Sequence, residues 1–376
     1  MKIAVLKETA DGERRVAASA ETVKKYIALG ATLAVEAGAG LSASIADADY
    51  AAAGATVGAR AEVLAGTDAV LGVQGPDPAA LQGLNPGALV VASLNPFGQR
   101  ERVDAYASAG VEALAMEFMP RITRAQSMDI LSSQSNLSGY KAVLDATQEY
   151  GRALPMMMTA AGTISAARIF IMGVGVAGLQ AIATARRLGA IVSATDVRAA
   201  TREQIESLGA KAIFVENVKG IEGEGSGGYA TEMSDEYKAA QAELVSAHIA
   251  KQDIVITTAL IPGRPAPRLI TDSQLATMRP GSVVVDLAVE QGGNVEGAVL
   301  GAVVERHGVR IVGHRNVPSR LAADASALYS RNLYNFLSAF WDKEAGRVVL
   351  PDDDEIVKGV RLTQGGKVVN GRLLQG

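Results

Sequence analysis

The chain has 376 residues, more than one ordinary hydrophobic core accommodates, so its length predicts two domains. Its net charge of −4 argues against a nucleic-acid partner, and the absence of cysteine excludes disulfides, thiolate catalysis and cysteine-based metal sites. Hydrophobic residues make up 48 % of the chain but aromatic residues only 4 %, a composition that suits helices packed on parallel strands. No metal site is predicted.

Residues 1–128 alternate between strand-like and helix-like patterns and predict an α/β domain. Ser19 and Thr22 have the spacing of a capping signal for a helix that runs to Leu29 and ends at Gly30. The start of the chain, MKIAVLKETADGERR, lacks the apolar core of a signal peptide, so we expect a cytoplasmic protein. The predicted strands are short apolar runs at residues 2–6, 31–36, 69–73, 88–93 and 111–115.

A polar segment at residues 119–129 comes before a long predicted helix at residues 132–153, which Pro155 would end. A helix of this length often connects two domains. The methionine run at residues 156–158 follows, and we expect its soft side chains to fill part of a core.

Residues 168–198 carry a complete dinucleotide-binding pattern. A strand-like run, a G-x-G-x-x-G turn, an apolar-periodic helix, a second strand-like run and an acid follow one another. Gly173 would allow the tight turn, Gly175 the approach of a pyrophosphate to the backbone, and Gly178 the close packing of helix on strand. The pyrophosphate would then lie on the free N–H groups at the start of the helix.

Asp196 ends the second strand about 20 residues after the glycine turn, the position of a carboxylate that binds the adenosine ribose hydroxyls. Its charge would repel a 2′-phosphate by roughly 4 kcal/mol at ~4 Å in an effective dielectric of about 20, which favours NAD over NADP. Arg198 weakens this preference slightly, since a nearby arginine can accept a 2′-phosphate.

The rest of this domain continues the α/β pattern. The glycine-rich loop at residues 220–229 ends in Tyr229, which suggests a lid that closes on a ligand. Loops at residues 259–263 and 290–294 follow strands, at the edge where open α/β sheets bind ligands. A helix at residues 326–340 is expected to return to the first domain. The later strands are predicted at residues 211–215, 253–258, 282–287 and 309–313.

A dehydrogenase that acts on an alcohol or an amino acid needs a proton-transfer group beside the nicotinamide, and this chain offers few. Of its three histidines, His248 lies in a predicted polar helix and His307 at a predicted helix end or turn. His314 follows a strand and is the one candidate for a site, although a surface or structural role fits it better. The residues therefore predict a nicotinamide site without an evident acid–base partner.

Residues 121–136, RITRAQSMDILSSQSN, resemble the NAD(H)-binding component (domain I) of the proton-translocating NAD(P) transhydrogenases. The resemblance extends over nearly the whole chain, through PMMMTAAGT, GVGVAGLQAIATARRLGA, ATDVRAAT, GGYA, TTALIPGRPAP, GSVVVDLAVEQGGN and NVPSR. It implies two Rossmann-like α/β domains with parallel sheets, joined by long helices, with the cofactor in the cleft. We expect residues 1–130 plus 318–376 to form the first domain and residues 131–317 the NAD(H)-binding domain.

The resemblance also implies a role for each matched residue. Arg121, Gln126 and Asp129 match a loop beside the nicotinamide. Arg121 and Asp129 would form an ion pair that orients the ring, and Gln126 would face the partner's nucleotide. Ser132 matches a serine that helps to hold the nicotinamide ribose region. The remaining expected cofactor contacts are Gly173, Gly175, Val176, Gly178, Asp196, Val197, Arg198, Gln241 and Leu260, with Gly228 and Tyr229 in a mobile loop that closes over NAD(H).

In this family hydride passes directly between NADH and NADP⁺, so the chemistry needs positioned rings and no proton-transfer residue. The implied enzyme is an NAD(P)⁺ transhydrogenase of the Si-specific, proton-translocating type, active only with partner subunits. NAD(H) would bind to this chain, NADP(H) to a partner component, and a membrane-spanning component would form the proton channel. The resemblance further implies a cytoplasmic homodimer held peripherally, through its partners, on the inner face of the cytoplasmic membrane.

Two alternatives stay open. An alanine dehydrogenase-like enzyme shares the fold, but it looks to need a lysine near residues 70–75 and a histidine near residues 90–95, which are absent here. Glu290 also stands where that enzyme has an aspartate. A non-catalytic NAD-binding regulatory module would equally explain the missing acid–base residues, although it needs no polar loop like the one at residues 121–129.

Overall fold

The computed structural model describes residues 1–215, 235–261 and 263–374. The chain divides into two compact units, one formed by Met1–Gln134 with Ser319–Gly376 and the other by Ser135–Pro318. Each unit is built on a largely parallel sheet, which confirms the predicted α/β class.

The first half of the first unit alternates strands and helices. Its parallel strands are nearly continuous apolar runs, because helices cover both faces of such a sheet. Ser19 begins the first helix as predicted: its Oγ accepts a hydrogen bond from the Thr22 N–H at 3.2 Å, and the Thr22 hydroxyl accepts one from the Ser19 N–H at 2.9 Å. The elements are β1 (Lys2–Val5), α1 (Ala20–Ala28), β2 (Thr32–Glu36), α2 (Asp47–Ala52), β3 (Thr56–Gly58), α3 (Arg60–Leu64), β4 (Ala69–Gln74), β5 (Leu89–Ser93), α4 (Arg100–Ser108) and β6 (Glu112–Ala115). The strand order is β3-β2-β1-β4-β5-β6.

Helix α5 (Ile130–Glu149) runs across the limit between the two units. Asp129 caps it, because its carboxylate accepts a hydrogen bond from the Ser132 N–H at 3.0 Å. The helix therefore begins before the predicted Ser132. It also ends short of the predicted residue 153, shortly before Gly151, a residue type that disfavours helix.

The second unit contains the longer sheet. Among its described residues the strands are ordered β11-β10-β9-β12-β13-β15-β14, and all pairs are parallel except β14 with β15. The elements are β7 (Met157–Thr159), β8 (Gly162–Ile164), β9 (Arg168–Met172), α6 (Val176–Arg187), β10 (Ile191–Thr195), α7 (Thr201–Ser207), β11 (Lys211–Ala212), α8 (Asp235–Ile249), β12 (Ile254–Thr257), α9 (Asp272–Leu275), β13 (Val283–Asp286), β14 (Val303–Arg306) and β15 (Val309–Val312).

Two features of this sheet differ from the prediction. Strand β11 stops at Ala212 instead of residue 215, and the antiparallel strand β14 was not predicted. Its partner β15 follows a two-residue turn at His307 and Gly308, whose φ angles of 52° and 76° are both left-handed. Such a turn matches the twist of a hairpin, so it returns the chain directly to the sheet edge.

The hairpin β7–β8 corrects a further expectation. All of its strand residues are exposed, and the preceding and central methionines, Met156 and Met158, are 63 % and 78 % exposed. The prediction that the methionine run fills a core is therefore wrong. The two strands pair only with each other, so neither face of this hairpin is covered by the described part of its unit.

The chain then completes the first unit. The elements are α10 (Ala322–Ala339), β16 (Trp341–Asp342), β17 (Arg347–Val348), α11 (Glu355–Val360), β18 (Thr363–Gln364), β19 (Lys367–Val368) and α12 (Gly371–Leu374). Tyr329, Leu333 and Phe336 of α10 pack into the same core as Ile3 and Val5 of β1, so the predicted helix at residues 326–340 belongs to this unit. In the portion of the chain that is described, no helix has the length and apolar character needed to cross a membrane.

Candidate nucleotide-binding site

The glycine turn between β9 and α6 has a different steric reason for each glycine. Gly173 has a φ of +100°, and a Cβ there would lie 2.6 Å from the Thr258 hydroxyl. A Cβ on Gly178 would lie 1.9 Å from the Gly173 carbonyl oxygen, so the helix packs on the turn without room for a methyl group. Gly175 begins α6 and would direct its Cβ into open space. Two glycines are thus needed by the fold, and the third leaves the helix terminus accessible.

A fourth glycine shapes the same terminus. Gly139 lies in the part of α5 that belongs to the second unit, and a Cβ there would lie 2.0 Å from the carbonyl oxygen of Ala177 in the first turn of α6. The neighbouring Val176 side chain is 39 % exposed. Sequence reasoning did not single out Gly139, although a glycine inside a helical pattern is a sign of close packing.

Asp196 lies at the end of β10 beside the turn and is only 8 % exposed. Its Oδ2 accepts a hydrogen bond from the Val174 N–H at 2.7 Å, and its Oδ1 accepts one from the Arg198 N–H at 2.9 Å. The Arg198 guanidinium also reaches the carboxylate, with Nε at 3.0 Å and Nη2 at 3.1 Å. Val197, between them, is partly buried. The structure therefore brings the predicted turn, acid and arginine together.

The loops after β12 and β13 are joined by a buried amide. Asn294 is fully buried; its Oδ1 accepts a hydrogen bond from the Ala259 N–H at 3.1 Å, and its Nδ2 donates to the carbonyls of Ala259 at 2.9 Å and Pro267 at 2.8 Å. Leu260, a predicted cofactor contact on the same loop, is 39 % exposed. Asn294 thus fixes the loop that presents Leu260, a role that the sequence reasoning missed.

Three predicted contacts are not gathered at this turn by the described contacts. Gln241 lies in α8 and is partly exposed. Gly228 and Tyr229 lie outside the described residues, as does the whole predicted lid at residues 220–229. Their roles stay predictions.

The loop predicted to face the nicotinamide belongs to the first unit. Residues Thr123–Met128 form a short 3-10 helix, with Ala125 and Met128 buried and Gln126 exposed. Two amides of α10 hold it, because the Ser127 carbonyl accepts hydrogen bonds from Asn332 Nδ2 at 2.8 Å and Asn335 Nδ2 at 2.9 Å. The loop is therefore anchored to the helix packed beneath it while part of its polar surface faces solvent.

The ends of this loop carry the other predicted residues. Asp129 accepts hydrogen bonds from both the N–H and the hydroxyl of Ser132, at 3.0 Å and 2.5 Å, so these two side chains are in contact. Arg121 is exposed. The ion pair between Arg121 and Asp129 stays a prediction.

Two of the histidines make structural contacts. The His248 Nε2 lies 2.8 Å from the Ser193 hydroxyl, its ring packs edge-on against Phe170, and burial lowers its pKa. His307 contacts Asp272 at 2.9 Å on the exposed surface. Within the described ranges, no group of three or more His, Asp or Glu side chains is arranged to hold a metal ion.

Comparison with known proteins agrees with these features over the full chain. The family model for the N-terminal domain of alanine dehydrogenase/PNT matches residues 4–138, and the model for the C-terminal domain matches residues 142–371. An NAD(P) transhydrogenase alpha subunit of Rhodospirillum rubrum is 53 % identical over 378 residues, which cover 98 % of both chains. The crystal structure of transhydrogenase from Sinorhizobium meliloti is 56 % identical, with a TM-score of 0.89 over 98 % of this chain and 100 % of that chain.

Similarity to alanine dehydrogenases is weaker. The alanine dehydrogenase of Mycobacterium tuberculosis is 30 % identical over 305 residues, which cover 79 % of this chain and 75 % of that protein. Both branches share the two α/β units, but the identity to the transhydrogenase subunits is far higher and extends over the whole length. The chain therefore belongs to the alanine dehydrogenase/PNT family and, within it, to the NAD(P) transhydrogenase alpha subunits.

Proposed function

We propose that this chain binds NAD(H) at the glycine turn of its second unit and exchanges hydride with NADP(H) bound to a partner component. The observation that carries the proposal is the arrangement of Gly175 and Asp196. The start of α6 is open above Gly175, and a carboxylate lies beside the turn, where an adenosine ribose needs an acceptor.

The loop in the first unit supports a role in chemistry beyond storage of the cofactor. Arg121, Gln126 and Asp129 place a cation, an amide and a carboxylate on one short loop that α10 anchors. Arg121 and Asp129 would orient the nicotinamide amide, and Gln126 would face the partner's nucleotide. Ser132, held by Asp129, would contact the nicotinamide ribose region. Positioning of this kind is the main task in a direct hydride transfer, since no proton joins or leaves the rings.

The preference for NAD(H) follows from the charge of Asp196. A 2′-phosphate brought to the ribose position would approach a buried carboxylate, and like charges at that distance repel strongly in a medium of low dielectric. NADP(H) would therefore bind to a separate component.

The exposed hairpin β7–β8 supports a homodimer. Met156, Met158 and Ile164 present flexible apolar side chains that are 63 %, 78 % and 38 % exposed. Exposed apolar side chains on a paired strand are typical of a surface that a partner chain covers. A second copy of this chain is the partner that we propose.

The membrane function would belong to the rest of the complex. Proton translocation requires a membrane-spanning component, and this chain would then be a cytoplasmic, peripheral subunit on the inner face of the membrane, active only with its partners. An alanine dehydrogenase-like activity is less well supported, since Gln74 and Asn95 lie in segments where that enzyme looks to need a lysine and a histidine.

The test is to mix the purified chain with an NADP(H)-binding transhydrogenase component and follow reduction of an NAD analogue by NADPH. We expect turnover with the partner and none without it. A matched pair of variants places the site: Gln126→Ala should lower turnover by about tenfold while NADH affinity stays unchanged, and Ser127→Ala on the same loop should change neither. Stereospecifically deuterated NADH would test the Si-specific assignment in the same assay.

Three results would contradict the proposal. Absence of hydride transfer with a competent partner, despite normal NADH binding, would favour the regulatory module. Deamination of alanine by the chain alone would favour the alanine dehydrogenase-like enzyme. Equal loss of activity in the Gln126 and Ser127 variants would mean that the loop acts only through its fold.

A further inference from the structure

The pair formed by Asp196 and Arg198 is more than a neighbouring acid and base. The arginine places two guanidinium nitrogens on the carboxylate, Nε on Oδ1 at 3.0 Å and Nη2 on Oδ2 at 3.1 Å. Its Nη2 also lies 3.2 Å from the Val174 carbonyl oxygen of the glycine turn. The guanidinium is therefore held beside the turn, against the acid that would bind the ribose.

The carboxylate itself is held independently of this arginine side chain. Its Oδ2 accepts a hydrogen bond from the Val174 N–H at 2.7 Å, and its Oδ1 accepts one from the Arg198 backbone N–H at 2.9 Å. A neutral acceptor of similar shape at this position could keep the hydrogen bond to the turn. The charge of Asp196 and its role in fixing the turn can thus be separated by experiment.

A chain that binds only NAD(H) does not need a cation at the adenosine ribose. Arginine is the side chain whose planar set of donors best matches a phosphate group, and it accommodates the 2′-phosphate in proteins that bind NADP(H). Arg198 is 16 % exposed at its side chain and Asp196 7 %, so both charges are largely shielded from solvent. The same few ångströms therefore carry a group that rejects a 2′-phosphate and a group that would accept one.

We infer that Arg198 is a latent 2′-phosphate ligand, and that the Asp196 carboxylate both occupies its guanidinium and repels the phosphate. The selectivity for NAD(H) over NADP(H) is then set by one negative charge. This inference rests on the proposed binding of NAD(H) to the second unit. Its consequence is specific: removal of the charge should create affinity for NADP(H), whereas loss of a purely structural contact should only weaken binding of both nucleotides.

The experiment measures equilibrium binding of NADH and NADPH, by nucleotide fluorescence, to the full chain and to three variants. Asp196→Asn removes the charge and keeps an acceptor for the Val174 N–H. Arg198→Gln removes the cation, and the double variant removes both. We expect Asp196→Asn to bind NADPH at least about tenfold more tightly than the unaltered chain, and the double variant to lose that gain. Asp196→Ser serves as a second neutral variant if Asp196→Asn is not folded.

Each result decides the inference. A folded neutral variant with no gain in NADPH affinity would overturn it, and so would a gain that persists in the double variant, because Arg198 would then not be the ligand. A gain that depends on Arg198 and falls as the ionic strength rises would support it. Failure of the unaltered chain to bind NADH would refute the proposed function itself, which separates the two failures.

Discussion

Replacing Gly178 by alanine tests whether the glycine turn is a steric requirement of the fold. The new Cβ would lie 1.9 Å from the Gly173 carbonyl oxygen, whereas real Cβ atoms essentially never come closer than 3.0 Å to another heavy atom. Helix α6 and the turn would therefore have to move apart by about 1 Å. Because both partners are backbone, no side-chain rotation can relieve the clash.

The magnitude follows from two opposing effects. Overpacking of this kind costs about 3 kcal/mol, at the upper end of its usual range, while alanine is favoured over glycine inside a helix by about 1 kcal/mol. The net loss of about 2 kcal/mol corresponds to a fall in Tm of about 6 °C for a unit of this size. Urea unfolding and calorimetry of the Gly178→Ala variant measure both quantities.

Gly175→Ala is the matched control. Its Cβ meets no atom within 4 Å, so we expect the free energy of unfolding to change by less than about 0.5 kcal/mol. NADH affinity should nevertheless fall by at least about tenfold, because the methyl group would occupy the space over the helix terminus that a pyrophosphate needs. Unchanged stability in Gly178→Ala, or unchanged NADH binding in Gly175→Ala, would refute this division of roles.

Three further predictions concern other parts of the molecule. Burial raises the pKa of Glu8 from 4.5 to about 7, which favours the protonated form in the folded state; its contribution to stability is present below pH 4.5 and is lost as the pH rises through 7. Between pH 4.5 and pH 8 the difference in unfolding free energy between Glu8→Gln and the unaltered chain should therefore change by about 3 kcal/mol, and a flat difference in urea titrations would contradict this. Asn294→Ala should raise the Kd for NADH by about tenfold, since the loop that carries Leu260 loses three hydrogen bonds, and an unchanged Kd in fluorescence titration would exclude this role. Met158→Lys should weaken the proposed homodimer, and sedimentation that shows an unaltered dimer would place the interface elsewhere.

Local features were predictable where short segments decide the structure. The capping pair Ser19 and Thr22 begins α1 as expected, because both hydrogen bonds lie within four residues. The strand runs of both units were recognised for a similar reason, since a strand buried between helices must be apolar along most of its length.

Features that depend on distant contacts were not. The methionines of the β7–β8 hairpin read as core filler, but whether an apolar side chain is covered depends on what packs over it, and nothing in residues 155–165 encodes that. Gly139 read as an ordinary helical residue, although its lack of a side chain admits the first turn of α6. The strand β14 was missed because its pairing with β15 is decided by the turn at His307 and Gly308.

The sequence by itself determined the dinucleotide turn. The positions of Gly173, Gly175 and Gly178 follow from backbone angles and clashes within one short segment, and spacing alone expresses them. Only the tertiary structure decided how Asp196 is held: its hydrogen bond to Val174 joins two parallel strands, and its ion pair with Arg198 turns the arginine back onto the glycine turn. A carboxylate's charge is visible in the sequence, but the cation that it neutralises and the groups that it excludes are set by three-dimensional proximity.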